Sequence, residues 1–210
     1  MSMFYRTFVF GFRLFFFSFY RLKVYGIENL PKGRAIIAPN HVSFYDPPVI
    51  AASCSDEAYF LAKASLFDHF FFGPIISRLN SYPVTGTAQD LASIKLICQL
   101  LGEDKKIVIF PEGIRSDDGE LAPIKSGVGM LSTRCNAPII PVYIDGAFEV
   151  WNKSRKYPKP FGKISCIFGK PIYPQDFEGF SKKETQEKIA EATEQSINSL
   201  KREFLKKLNC

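Results

Sequence analysis

The sequence predicts an α/β fold: a single layered domain with a central mixed, mostly parallel sheet flanked by helices, plus an N-terminal amphipathic membrane-associating helix. Three observations predict it. Short apolar runs recur along the chain, and "AIIAPN" (35–40) and "KKIVIF" (105–110) both meet a proline at or near their ends. Unbroken apolar runs of that length read as strands covered on both faces, as in a parallel sheet. Segments with helical apolar spacing and capping residues alternate with them. Finally, eight of the 21 phenylalanines fall within the first twenty residues, interrupted by arginine.

That first stretch, "MSMFYRTFVFGFRLFFFSFYRLKVYG" (1–26), is neither a simple span nor a signal peptide. Arg6, Arg13 and Arg21 leave no uncharged run of about eighteen residues, and no small-residue cleavage site follows. On a helical wheel Phe4, Phe8, Phe12, Phe15 and Phe19 share an arc of about 80°, with the three arginines roughly opposite. The expectation is a helix lying in a bilayer interface, phenyl rings in the acyl region and arginines at phosphate level. The alternative is an amphipathic helix packed on the core. Charge agrees with the first: of the formal +6, residues 1–34 carry +5 and the rest is nearly neutral. A basic end on a balanced body argues against nucleic acid, which calls for a basic face on the folded part, and for anionic headgroups.

The elements then follow in order. "AIIAPN" is a buried strand ending at Asn40. Asp46-Pro47-Pro48 opens a helix, with Asp46 as N-cap and Pro47 at the first helical position. "AYFLAK" (58–63) is a second strand. "TAQDLASIKLICQLLG" (87–102) is a helix capped by Thr87, with Asp90 three places on, and stopped by Gly102. "KKIVIF", "PIIPVYI" (138–144) and "KISCIF" (163–168) are further strands. The tail opens with a Ser-Lys-Lys-Glu capping box at Ser181 and carries Ile189, Ile197, Leu200, Phe204 and Leu208 on one stripe, an amphipathic surface helix. Such alternation puts function at strand-end loops. The five cysteines are odd in number and widely spaced. They predict no disulfide framework or zinc knuckle, a reducing compartment, and small buried hydrophobes.

Chemistry concentrates in two stretches. "NHVSFYDP" (40–47) sets His41 five residues before Asp46, and the chain has only two histidines. Five residues on a helix would leave the two side chains about 140° apart, and Pro47 pushes Asp46 out of the helical region. The segment is therefore a turn that can fold imidazole onto carboxylate. A carboxylate on one ring nitrogen fixes the tautomer, frees the other nitrogen as a base, and stabilises the imidazolium that forms. The competing reading is a histidine satisfied by its turn, with Asp46 only a cap. No G-x-S-x-G elbow is present, which disfavours a serine hydrolase. His41 and His69 are too few for a binuclear metal site, so no metal is expected. His69, among aromatics, reads as structural. In "FPEGIRS" (110–116), Gly113 permits an unusual backbone path, so Glu112, Arg115 and Ser116 are displayed at a strand end. A guanidinium beside a hydroxyl suits a phosphate; Glu112 either holds Arg115 or binds a substrate hydroxyl. A self-satisfied turn is the competing reading here.

Together with "APIIPVYIDGA" (137–147), these stretches resemble the glycerolipid acyltransferase family of 1-acylglycerol-3-phosphate acyltransferases, from roughly residue 20 to 175. The resemblance implies that His41 is the general base on the acceptor hydroxyl and that Asp46 orients it. Glu112, Gly113, Arg115 and Ser116 would bind the glycerol phosphate, with Lys63 of "FLAKASLF" helping to hold it. Ile139, Ile140, Pro141 and Val142 would wall the acyl-chain path. The family's second motif commonly ends in an arginine, where "YPVTGT" (82–87) has Gly86; Arg78 is a candidate replacement. Ile114 stands where the third motif usually has Thr or Ser.

The implied protein is an enzyme that moves a fatty acyl group from acyl-CoA or acyl-carrier protein to 1-acylglycerol 3-phosphate. It would have no bound cofactor and no nucleic-acid partner, and would sit peripherally or monotopically on the cytoplasmic face of a membrane. Residues 1–24 would be the interfacial segment and 25–210 the acyltransferase domain. Acylation of glycerol 3-phosphate or another lysolipid, or a non-catalytic lipid-binding role, remain alternatives. The basic loop "NKSRKYPKPFGK" (152–163) has five cations and no acid; it would dock an acidic carrier protein or the membrane.

Overall fold

The structure is a computed structural model that describes residues 3–84 and 91–208. Its core is a sheet of strands β1 (Lys23–Tyr25), β2 (Ala35–Pro39), β3 (Ala58–Lys63), β4 (Ser81–Val84), β5 (Lys106–Val108), β6 (Ile139–Asp145) and β7 (Ser165–Phe168). Their order across the sheet is β1-β7-β6-β2-β5-β3-β4. Pairing is parallel from β6 through β4. β7 runs antiparallel to β6, and β1 lies parallel to β7. The sheet is thus mixed and mostly parallel, as expected.

The helices are α1 (Met3–Tyr20), α2 (Asp46–Ser53), α3 (Phe72–Arg78), α4 (Leu91–Gly102), α5 (Gly127–Cys135), α6 (Ala147–Trp151) and α7 (Lys182–Leu208). Successive side chains of a strand point to opposite faces, and β2 divides accordingly. Ala35 and Ile37 pack with α1, α2 and α6, while Ile36 and Ala38 pack with α4, α5 and α7. With helices on both faces, every residue of β2 is buried, which is why an unbroken apolar run is the right sequence for it.

Several expectations are refined. Asp46 is the first residue of α2, not its cap; Tyr45 takes that place without a side-chain cap bond. The Thr87 cap, Asp90 and Gly86 lie outside the described residues, and α4 is described from Leu91. Cys54 and Cys166 are free and buried, as small hydrophobes would be, but Cys98 of α4 and Cys135 of α5 are joined in a disulfide, Cα atoms 5.5 Å apart. Spacing along the chain gave no sign that two helices would bring them together. The Ser181 capping box forms in both directions. Ile189 and Ile197 are buried, whereas Leu208 at the end of the stripe is exposed.

Helix α1 departs most from the simple picture. Tyr5, Val9, Phe16 and Tyr20 form a buried line against the body of the protein. Tyr5 hydroxyl accepts from the Ala58 amide at 2.9 Å, and burial pushes that phenol up to about 12. Arg13 is not left for a phosphate: its guanidinium donates to the Ala52 and Cys54 carbonyls at 2.8 and 2.6 Å, closing the end of α2. The Phe4, Phe8, Phe12, Phe15 line runs half-buried beside the packed line, and Phe10, Leu14 and Phe17 are exposed beyond it. Among the described residues no helix is long and apolar enough to cross a membrane.

The tightest helix contact is at Gly129 of α5, where a Cβ would lie 2.0 Å from the Gln186 carbonyl oxygen of α7. Gly129→Ala is expected to lower stability by about 1–3 kcal/mol through overpacking against backbone, despite a helix-propensity gain of about 1 kcal/mol. The check is a lower urea midpoint at unchanged slope.

Candidate active site

Strands β2, β5 and β3 are adjacent and parallel, so the loops at their C-terminal ends share one edge of the sheet. That edge is where open α/β sheets build their sites. Asn40 fixes the end of β2. Its buried side chain donates to the Ile144 carbonyl at 3.1 Å and accepts from the Ile144 amide at 2.7 Å, pairing with β6 as a backbone unit would. The turn after it is then free to reverse.

Inside that turn lies the Asp46 carboxylate, wholly buried. Its Oδ2 accepts from the Val42 and Ser43 amides, both at 2.7 Å, and faces His41 Nδ1 at 2.8 Å. The imidazole is therefore held by its inner nitrogen. Nε2 on the far side has no hydrogen bond among the described residues. The ring also stacks on Phe110 from the β5 loop, centroids 4.0 Å apart. Burial pushes the Asp46 carboxyl above its ordinary range, against the pull of His41 and the two amides.

The second loop is stitched to the first. The buried Glu112 accepts from the His41 amide at 2.6 Å through one oxygen and from the Ala122 amide at 2.8 Å through the other. Burial raises its carboxyl, against those two amides. The His41 carbonyl accepts in turn from the Ser116 amide at 2.8 Å. Glu112 is thus spent on backbone: it holds the histidine's peptide, not Arg115. Ser116 is likewise engaged, its hydroxyl donating to Asp118 at 2.9 Å and accepting from the Gly119 amide at 3.0 Å.

Arg115 lies flat over Phe44, 3.6 Å from the ring centre. Its Nη1 is buried with no hydrogen-bond partner among the described residues. Burial lowers its basicity, and the charge of Asp46 pulls the other way. Gly113 has φ +76, and a Cβ there would lie 2.8 Å from Lys125 Nζ. Lys125 therefore brings a cation to this loop that its sequence position did not reveal. Lys63 ends β3, exposed, two strands and so about 10 Å from the line of β2.

The remaining expected residues fall elsewhere. Ile139, Ile140, Pro141 and Val142 are all buried within β6. Ile140 and Val142 belong to the core on one sheet face and Ile139 to the core on the other. A strand with partners on both edges and helices on both faces packs the core, and these side chains lie inside it. Arg78 sits 5.8 Å over the Phe4 ring, about 16 Å along α1 from Phe15, the phenylalanine that meets Tyr45.

Comparison with known proteins follows the same residues. The acyltransferase family's sequence profile matches residues 21–145. The chain is 28% identical to the 1-acyl-sn-glycerol-3-phosphate acyltransferase of Bacillus subtilis (strain 168) over 181 residues, 85% of this chain and 87% of that one. It is 26% identical to the chloroplastic 1-acyl-sn-glycerol-3-phosphate acyltransferase of Arabidopsis thaliana over 84% of this chain, and spans 50% of that longer relative. The crystal structure of the 1-acyl-sn-glycerophosphate (LPA) acyltransferase PlsC from Thermotoga maritima is similar with a TM-score of 0.74 at 25% identity, over 92% of this chain and 79% of that one. The profile match takes in both stitched loops and every strand from β1 to β6, and on that ground this chain belongs to the acyltransferase family.

Proposed function

We propose that this enzyme transfers a fatty acyl group from an acyl thioester, acyl-CoA or acyl-carrier protein, to the free hydroxyl of 1-acylglycerol 3-phosphate, giving phosphatidic acid. The observation that carries the reading is the His41 Nδ1 to Asp46 Oδ2 contact at 2.8 Å, on the sheet edge that also displays Arg115. His41 Nε2 takes the hydroxyl proton as the oxygen attacks the thioester carbonyl, and Asp46 stabilises the imidazolium. The tetrahedral oxyanion, held by loop amides, collapses with loss of the thiolate, which recovers the proton from His41. No acyl–enzyme bond forms.

The phosphate of the acceptor supplies what Arg115 lacks. A buried guanidinium nitrogen without a partner is costly, and a phosphate oxygen is the acceptor that planar fork fits best. In this reading Lys63 and Lys125 add charge to the same group. Glu112, Gly113 and Ser116 act at one remove, by fixing the loop that presents Arg115 and by tying it to the histidine. Holding the phosphate places the hydroxyl at Nε2, which is an orientation effect. Acceptor and product both reside in a bilayer, and the bare phenyl surface of α1 keeps the enzyme there as a peripheral protein. The cytoplasmic face, where the thioester donors are, is the side on which it works.

A second acceptor is the reading to weigh against this one, because Gly86 stands where the family's second motif commonly has an arginine. Turnover measured with lysophosphatidate, glycerol 3-phosphate and lysophosphatidylcholine is expected to favour lysophosphatidate. Preference for either of the others reassigns the acceptor.

His41→Ala is expected to cut turnover by about 10²–10⁴-fold while lysophosphatidate binding persists. Equal turnover in the variant would remove the general base and favour a non-catalytic lipid-binding role. Asp46→Asn keeps the shape but not the charge behind the imidazolium; its kcat should fall in the same range with little change in KM.

A further inference from the structure

We infer that the α6–β7 loop, residues 152–163, is a second membrane-contacting element that binds anionic lipid headgroups beside the catalytic mouth. The inference rests on the reading above only in placing the substrates in a bilayer.

The backbone of the loop is fixed to the body of the protein. Lys159 donates its amide to the Val150 carbonyl at 3.0 Å, and its own carbonyl accepts from Tyr20 hydroxyl at 2.8 Å. The Gly162 amide reaches the Phe19 carbonyl at 3.2 Å, and Trp151 Nε1 donates to the Arg155 carbonyl at 3.1 Å. Lys153 is spent inside the site, paired with Asp117 and donating to the Arg115 carbonyl at 3.4 Å. Every other cation of the loop points outward. Arg155, Lys156, Lys159 and Lys163 are exposed, and none has an acidic partner among the described residues. Between them stand two bare rings, Tyr157 at 69% exposure and Phe161 at 67%.

Four unpaired cations alternating with exposed aromatics on a fixed backbone match a headgroup layer, phosphates outside and acyl carbons beneath. An acidic carrier protein would meet the cations but leave the rings uncovered. Continuity decides between them. Phe161 stacks on Phe19 of α1, centroids 5.9 Å apart, so the loop extends the phenyl flank of that helix. From Phe19 the ring contacts run through Phe15, Tyr45 and Trp151 to Phe44, each step between 4.9 and 6.1 Å. Phe44 carries Arg115. The headgroup-binding loop and the phosphate-binding arginine are therefore the two ends of one aromatic rim.

The test uses the full chain and vesicles of phosphatidylcholine alone or mixed in equal parts with phosphatidylglycerol. The combined variant Arg155→Gln, Lys156→Gln, Lys159→Gln and Lys163→Gln leaves Lys153 in place. It is expected to lose at least about tenfold in partition to the anionic vesicles, since each cation near such a surface contributes about fivefold. Phe161→Ser should weaken binding to both vesicle types. Acyl transfer from acyl-CoA in detergent micelles should stay at the wild-type value in both variants, which reports that they fold. Unchanged partition to anionic vesicles overturns the inference. So does a combined variant that binds vesicles normally but shows a raised KM for acyl-carrier protein alone, which would give the loop to the carrier. A wild-type protein that binds anionic vesicles through this loop yet transfers no acyl chain would leave this inference standing and overturn the proposed function instead.

Discussion

One buried carboxylate organises the site. Asp46 has no exposure to water, yet three N–H groups converge on a single oxygen at 2.7–2.8 Å. Removing a charge from water is expensive unless hydrogen bonds replace the lost shell. The two amides are the successive N–H groups that follow His41, so holding this oxygen and shaping the turn are the same event, while Oδ1 has no hydrogen-bond partner among the described residues. The proline pair behind Asp46 starts α2 at once, and the aspartate cannot swing away without unmaking the start of that helix. The imidazole is a passenger of this arrangement: its orientation is set by a group the fold needs anyway.

The same economy joins the two loops. The Glu112 carboxylate braces two backbone segments, the Ser116 hydroxyl closes its own turn onto the Gly119 amide, and the Ser116 amide ties that turn to the His41 carbonyl. Their value lies in rigidity. The amide and the carbonyl of His41 are both bonded to the β5 loop, so His41 and Arg115 are held on one braced unit. An orientation effect in catalysis depends on sub-ångström placement, and paired backbone bonds give that better than a flexible side-chain contact would.

Much of this was legible beforehand, for identifiable reasons. β2, β3, β5, β6 and β7 are short unbroken apolar runs because they are covered on both faces. β1 and β4 were not legible: "KVY" lies on an edge with all three residues exposed, and "SYPV" carries a proline that only an edge strand tolerates. α5, "GVGMLSTRC", is poor in helix formers and exists through its packing on α7. In the site, the spacing of His41 and Asp46 announced a turn that could pair them. The commitment of Asn40 to the Ile144 backbone on β6 and that of Glu112 to the His41 and Ala122 amides leave no trace in spacing, and neither does the arrival of Lys125 at Gly113 or of Cys98 at Cys135. Runs and spacings report local geometry, while these contacts depend on which loops the sheet order brings together. The apolar run of β6 is buried, and its spacing does not tell core from a substrate wall, because burial and ligand lining select the same residue types.

The fastening of α1 has a geometric corollary. Arg13 is tied to the last carbonyls of α2, Tyr5 to the first amide of β3, and Tyr20 to the loop that follows α6. With three such rivets the helix has no hinge against the rest of the molecule. Any apolar layer that takes up Phe10, Leu14 and Phe17 must accept the whole protein at one tilt. The height of the imidazole above that layer is then a fixed length of the scaffold, in the manner of a depth gauge.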